Sequence, residues 1–109
     1  MKASELLQAA KENISTPERW CQGTLARDAE GNSTNPDNPD AVSFCSRGSC
    51  NKIMGRHWMS ANWAKYLRQA AGGYVTVFND NHSHPDVMAM FDRAIALAQA
   101  DETEGAPQV

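Results

Sequence analysis

Apolar side chains recur at Ala3, Leu6, Leu7, Ala10 and Ile14, the spacing that lines one face of an α-helix. A first helix is predicted there, with Ser4 as its cap. Ser15-Thr16-Pro17 interrupts the pattern, because proline lacks a donor and pushes its predecessor out of the helical region. Thr16 is positioned to cap a single turn carrying Trp20. The pattern then changes to a short run, Thr24-Leu25-Ala26-Arg27, followed by Asp28-Ala29-Glu30-Gly31. Aspartate three places before glycine suits a turn closed by a left-handed residue, so a small β-hairpin is predicted. Asn35-Pro36-Asp37-Asn38-Pro39-Asp40 reads as a surface loop whose last residue caps the next helix.

A second helix is predicted over 41–54, burying Ala41, Phe44, Cys45, Gly48 and Ile53 on one stripe together with the stem of Lys52. Gly48 in a helix interior costs about 1 kcal/mol relative to alanine, so its presence implies a close backbone neighbour. Gly55 is a plausible stop. A third helix runs from the cap Ser60 through Trp63, Tyr66, Leu67 and Ala70 to Gly72-Gly73. The β-prone segment 74–78 (Tyr74-Val75-Thr76-Val77-Phe78) is predicted as a strand. The last helix is the clearest, with Ser83 and Asp86 three apart, Pro85 in the first turn, and an apolar face of Val87, Met90, Phe91, Ala94, Leu97 and Ala98. The expected fold is mainly α, about four helices around one core with a small β-hairpin between the first two. Trp20, Phe44, Leu67, Phe91 and Ala94 should be buried. Residues 1–100 read as one helical domain and 101–109 as a flexible acidic tail.

Composition changes this picture little, since a 109-residue chain with 41% hydrophobic residues suits one ordinary core. No apolar run is long enough to span a membrane, and no leader is evident, so a cytoplasmic protein is expected. Cys21, Cys45 and Cys50 cannot all pair within one chain; reduced, structural thiols are expected. Charge is more informative. The overall −3 conceals a stretch from 41 to 79 without a single acidic residue, where Arg47, Lys52, Arg56, Lys65 and Arg68 give +5 and leave −8 on the flanks.

Trp20-Cys21-Gln22-Gly23, Ala26-Arg27-Asp28, Pro39-Asp40-Ala41-Val42, Cys45 with Gly48, Phe78-Asn79-Asp80 and Phe91-Asp92-Arg93-Ala94-Ile95 together resemble the blocks of a small family. Its members are uncharacterised bacterial and phage proteins, classed as a domain of unknown function. The resemblance extends from Leu6 to Ile95 and implies one intact domain but no activity or catalytic residue. The family's block after its first cysteine is richer in alanine and leucine than Ser46-Arg47-Gly48-Ser49-Cys50.

Three kinds of chemistry compete for a site. Asp80, His82 and His84 are weak metal candidates, because residues two apart in an extended segment share a side; their bland role is a solvated loop before a helix. Cys45 with His57 or His82 is the only nucleophile and base that can be drawn, yet a cysteine on an apolar stripe is usually inert packing. No cofactor motif is present: Gly72-Gly73 precedes a β-prone run instead of a phosphate-cradling helix.

The acid-free middle is more specific. Arg47, Lys52, Arg56, Lys65 and Arg68 alternate with Trp58, Trp63 and Tyr66, a mixture suited to an acidic protein partner or to nucleic acid. The partner-binding set is therefore Arg47, Lys52, Arg56, Trp58, Lys65 and Arg68. An acidic protein is favoured, because the flanking −8 repels a polyanion. The expected function is a non-enzymatic interaction or accessory factor, of phage or mobile-element type, acting on a host protein. The alternatives are a small metal-dependent or thiol enzyme using His82 and His84, and a nucleic-acid binder.

Overall fold

The computed structural model describes residues 1–55 and 62–104. Helix α1 (Ala3–Asn13) forms where the apolar spacing places it, burying Leu6, Leu7 and Ala10. Its first turn differs from expectation: Lys2 stands at the cap position, its amide donating to Glu5 Oε1 at 2.7 Å. Ser4 lies inside the helix and donates from Oγ to Glu102 Oε1 at 2.6 Å. A single 3-10 turn, Pro17–Arg19, follows the proline break, with Thr16 before it making no side-chain cap bond.

The hairpin pairs β1 (Ala26–Asp28) with β2 (Ser33–Thr34), antiparallel, with Ala26 opposite Thr34. Its turn uses the residues expected. Asp28 Oδ1 accepts from the amides of Glu30 and Asn32 at 3.0 and 2.9 Å, and Gly31 takes the left-handed conformation at φ 84°.

The predicted second helix is corrected at its start. Residues Ala41–Phe44 form β3, which pairs with β1 and completes a three-stranded sheet of order β2-β1-β3. Asp40 is therefore not a helix cap; its amide donates to Asn38 Oδ1 at 2.9 Å in the turn that feeds the strand. Helix α2 (Ser46–Met54) begins behind Cys45, whose sulfur accepts from the Gly48 amide at 3.3 Å.

Helix α3 (Trp63–Ala71) ends at Gly72, left-handed at φ 75° as expected; its expected cap, Ser60, lies outside the described residues. The predicted strand over 74–78 is helix α4 (Val75–Asn81). Its buried residues, Val75 and Asn79, are four apart, whereas Tyr74 and Val77 are 73% and 57% exposed, so the helical period decides which side chains reach the core.

Helix α5 (His84–Glu104) starts behind Ser83, whose Oγ accepts from the Asp86 amide at 3.3 Å. It continues past residue 100, where the tail was expected to begin. Asp101 Oδ2 accepts from Tyr66 Oη at 2.8 Å, and Glu102 reaches Ser4 at the other end of the sequence. Residues 105–109 lie outside the described ones.

The fold is thus mainly helical, with five α-helices and a small antiparallel sheet among the described residues. Helix α5 packs on α1 and α3, and α1 packs on α2. Phe44, Leu67, Phe91 and Ala94 are fully buried as expected. Trp20 is only half-buried, and Leu97 on the supposed apolar face is 39% exposed. Because Phe91 has no exposed surface, Phe91→Ala is expected to cost about 3–4 kcal/mol in urea unfolding, through lost transfer energy and the cavity left behind. A loss below about 1 kcal/mol would mean that this site collapses around the smaller residue. Among the described residues no helix is long and apolar enough to cross a membrane.

Candidate functional site

Two cations of the acid-free stretch, Arg47 and Arg68, come together in a groove. Arg47, Asn51 and Met54, at successive turns of α2, face Trp63, Ala64 and Arg68 of α3 across a cavity of about 400 Å3. Tyr74, Val75 and Thr76 close its end at the start of α4. The left-handed Gly72 turns the chain out of α3, its amide donating to Arg68 O at 3.0 Å, and so brings Tyr74 beside Arg68. The Arg68 guanidinium lies 5.9 Å from the Tyr74 ring centroid. Trp63 is 9% exposed and its indole Nε1 faces Met54 Sδ at 3.4 Å. The floor is apolar and the rim cationic.

The other candidate cations fall elsewhere. Lys52 projects from α2 away from the groove, its Nζ 5.3 Å from the Phe44 ring centroid. Lys65 adjoins Arg68 along a shallower cleft and faces Asp101 Oδ2 at 3.8 Å. Arg56 and Trp58 lie outside the described residues, as does His57. Tyr66 is tied to Asp101, whose carboxylate, together with burial and neighbouring charge, pushes the phenol above its ordinary range. Tyr74 was missed as a site residue because a strand reading gives no reason to place it beside Arg68.

The cations outside the acid-free stretch are largely occupied internally. Lys11 pairs with Asp92 at 2.6 Å, Arg19 bonds to Asn13, Arg27 to Gly31 O and Gln22 O, and Arg93 to Ala70 O. Among the described residues, the side chains of Arg47, Lys52 and Arg68 make no hydrogen bond or ion pair.

The metal candidates are held by the fold. His82 Nδ1 lies 2.9 Å from Phe78 O, and its ring stacks on Phe78 with centroids 3.8 Å apart. His84 Nε2 lies 2.7 Å from Ile14 O. A carbonyl only accepts, so each of these nitrogens carries the hydrogen, which leaves one unprotonated nitrogen per neutral ring. Asp80 Oδ1 accepts from the Gly23 amide at 2.9 Å and from Asn79 Nδ2 at 3.1 Å. Among the described residues no group of three or more His, Cys, Asp or Glu side chains is placed to hold a metal ion.

A smaller cleft of about 170 Å3, beside Gly23, Thr24, Cys45 and Asp80, brings Cys45 near the surface, yet the thiol is almost fully buried. All three cysteines are free and buried, and desolvation pushes each thiol above its ordinary range, most strongly for Cys50. The unfolded chain therefore releases these protons first as pH rises. Stability is complete below the ordinary thiol value and is lost as pH climbs toward the folded values. Unfolding free energy measured from pH 7 to 10 should begin to fall near pH 8.5, by at most about 1.4 kcal/mol per pH unit per thiol. Cys50→Ala should flatten that decline; an unchanged slope would show that the thiols do not cause it.

Several of the family-like blocks meet at Asn79, which is fully buried. Its Oδ1 accepts from Trp20 Nε1, the Ser46 amide and Ser46 Oγ at 2.8, 2.9 and 2.7 Å, and its Nδ2 donates to Cys21 O at 3.0 Å. Gln22 Nε2 donates to Asn79 O and His82 O at 3.0 and 3.1 Å. Trp20-Cys21-Gln22-Gly23 and Phe78-Asn79-Asp80 are thus two halves of one structural node. Sequence reasoning missed its hub, because a polar residue at the end of a supposed strand gives no sign of burial.

Neither the curated proteins nor the solved structures contain a match to this chain. A family model described as "Family of unknown function (DUF6197)" matches residues 1–97. With nearly its whole length matched, the chain belongs to that family of unknown function.

Proposed function

We propose that this protein is a non-enzymatic interaction module whose α2–α3–α4 face docks an acidic protein partner, as an accessory factor of phage or mobile-element type would dock a host protein. The observation that carries this reading is the contrast between cations: Lys11, Arg19, Arg27 and Arg93 serve the fold, whereas the Arg47 and Arg68 side chains rim one groove with no hydrogen-bond or ion-pair partner among the described residues. Guanidinium groups in that position offer forked donors to carboxylates. The acidic flanks disfavour a nucleic-acid polyanion, and the hydrogen bonds held by His82 and His84 favour a structural role for those residues over metal chemistry.

The test is affinity capture at low and high salt with wild type, Arg47→Glu/Arg68→Glu and Lys11→Glu/Arg93→Glu as baits, each checked for folding by thermal melting. The groove pair should weaken retention of acidic partners about tenfold or more, and high salt should do the same to wild type. Equal losses from both double variants, or retention indifferent to salt, would sink the proposal.

A further inference from the structure

The groove is divided by chemistry. Its floor holds Trp63 and Val75, only 9% and 7% exposed, with Met54 beside them, while Arg47 and Arg68 stand on the rim and are exposed. Tyr74, 73% exposed, forms an aromatic wall next to Arg68. A purely acidic ligand would pair with the rim but leave the apolar floor in water. A purely apolar ligand would fill the floor and strip water from unpaired guanidinium groups, which is costly. Only a ligand carrying both features satisfies both parts.

The cavity volume, about 400 Å3, sets the scale. It lies toward the lower end of the roughly 300–1,000 Å3 of small-molecule pockets, enough for one bulky side chain with its flanking backbone. A whole docking helix, about 10–12 Å across, would bridge the groove without filling it. Extending the reading of this face as an acidic-partner surface, we infer that the groove takes a short extended peptide segment in which one aromatic side chain enters between Met54, Trp63 and Val75. Carboxylates on either side of that residue pair with Arg47 and Arg68. The aromatic inserts against Tyr74 and Trp63, where offset and edge-on ring contacts add to burial. Specificity comes from the side chain and encounter rate from the charges.

The probes are three synthetic peptides: Glu-Asp-Phe-Asp-Glu, the same peptide with Ala for Phe, and Lys-Lys-Phe-Lys-Lys. A single-stranded oligothymidylate serves as competitor. Each is titrated into the isotope-labelled full chain while the Trp63 indole and the Arg47 and Arg68 side-chain resonances are followed. The Phe peptide should bind about tenfold more tightly than the Ala peptide and shift the Trp63 indole, and the basic peptide should not bind. Ala64→Phe, which narrows the cavity and keeps both arginine charges, should remove the advantage of Phe and keep the weak salt-sensitive binding. The peptide comparison stands without that variant. Equal affinity of the Phe and Ala peptides, both dependent on Arg47 and Arg68, would overturn the inserted side chain and leave the acidic-partner reading in place. No response at either arginine to any acidic peptide at millimolar concentration, or tighter binding of the oligothymidylate, would overturn both.

Discussion

Asn79→Ala is expected to destabilise the protein by about 4–6 kcal/mol, at the severe end of single substitutions. The side chain is fully buried, and its oxygen accepts three hydrogen bonds at 2.7–2.9 Å from two residues on different elements. Alanine leaves the Trp20 indole, the Ser46 amide and the Ser46 hydroxyl without their acceptor and strips Cys21 O of its donor. Each buried group so orphaned costs about 1–3 kcal/mol, more than the bond itself contributes net. Asn79→Asp is the sharper control. It keeps an acceptor for Ser46 and Trp20, but it turns an oxygen toward Cys21 O and the Asp80 carboxylate, where Nδ2 now donates at 3.0 and 3.1 Å. It should be about as damaging near pH 7 and partly recover in mild acid, as the new carboxyl protonates and donates again. Urea unfolding at pH 7 and pH 5 checks both variants. A loss below about 2 kcal/mol for Asn79→Ala would show that water replaces the lost partners and that the node is not structural.

Gly48→Val is the second large effect, expected at about 5 kcal/mol or complete loss of the native fold. A β-carbon at Gly48 would lie 1.9 Å from Leu25 O and 2.8 Å from Leu25 C, both main-chain atoms, so no side-chain rotation relieves the overlap. Leu25 O is also fixed, accepting from the Cys45 amide at 3.1 Å where the sheet meets the first turn of α2. Separating them opens the seam that seats Cys45 and Ser46, and with it the Asn79 node. Gly48→Ala should cost about 3 kcal/mol, the upper part of the usual overpacking range. Gly73→Ala provides the contrast. No atom lies within 4 Å of its added β-carbon, so its effect should stay within about 0.5 kcal/mol and can be stabilising through the unfolded chain. Thermal melts of the three variants side by side make the comparison. Similar shifts for Gly48→Ala and Gly73→Ala would mean that α2 moves off Leu25 freely.

These two residues also separate what was readable in the chain from what was not. Gly48 was legible: a glycine inside a helical pattern implies a close backbone neighbour, although the sequence could not name Leu25. Asn79 was not legible, because its burial depends on Trp20, Cys21 and Ser46 arriving around it from positions 33–59 residues away. The candidate site divides in the same way. The sequence displayed the acid-free stretch and its arginines, but Arg47 shares a groove with Arg68 while Lys52, five residues on, projects away from it.

By itself the sequence determined the elements whose signals are local and self-consistent: α1 and α5 from long apolar periods, the hairpin turn from Asp28 and Gly31, and the end of α3 from Gly72. Tertiary structure alone decided residues 41–44 and 75–81. Each segment is too short for its period to discriminate, so pairing partners settle the outcome. Ala41–Phe44 became a strand because β1 offered an unpaired edge, and Val75–Asn81 became a helix, which sends Val75 and Asn79 inward while turning Val77, which a strand would place on the same face, out to solvent. The groove follows from both. Delaying α2 to Ser46 fixes where Arg47 points, and winding α4 into a helix exposes Tyr74 beside Arg68.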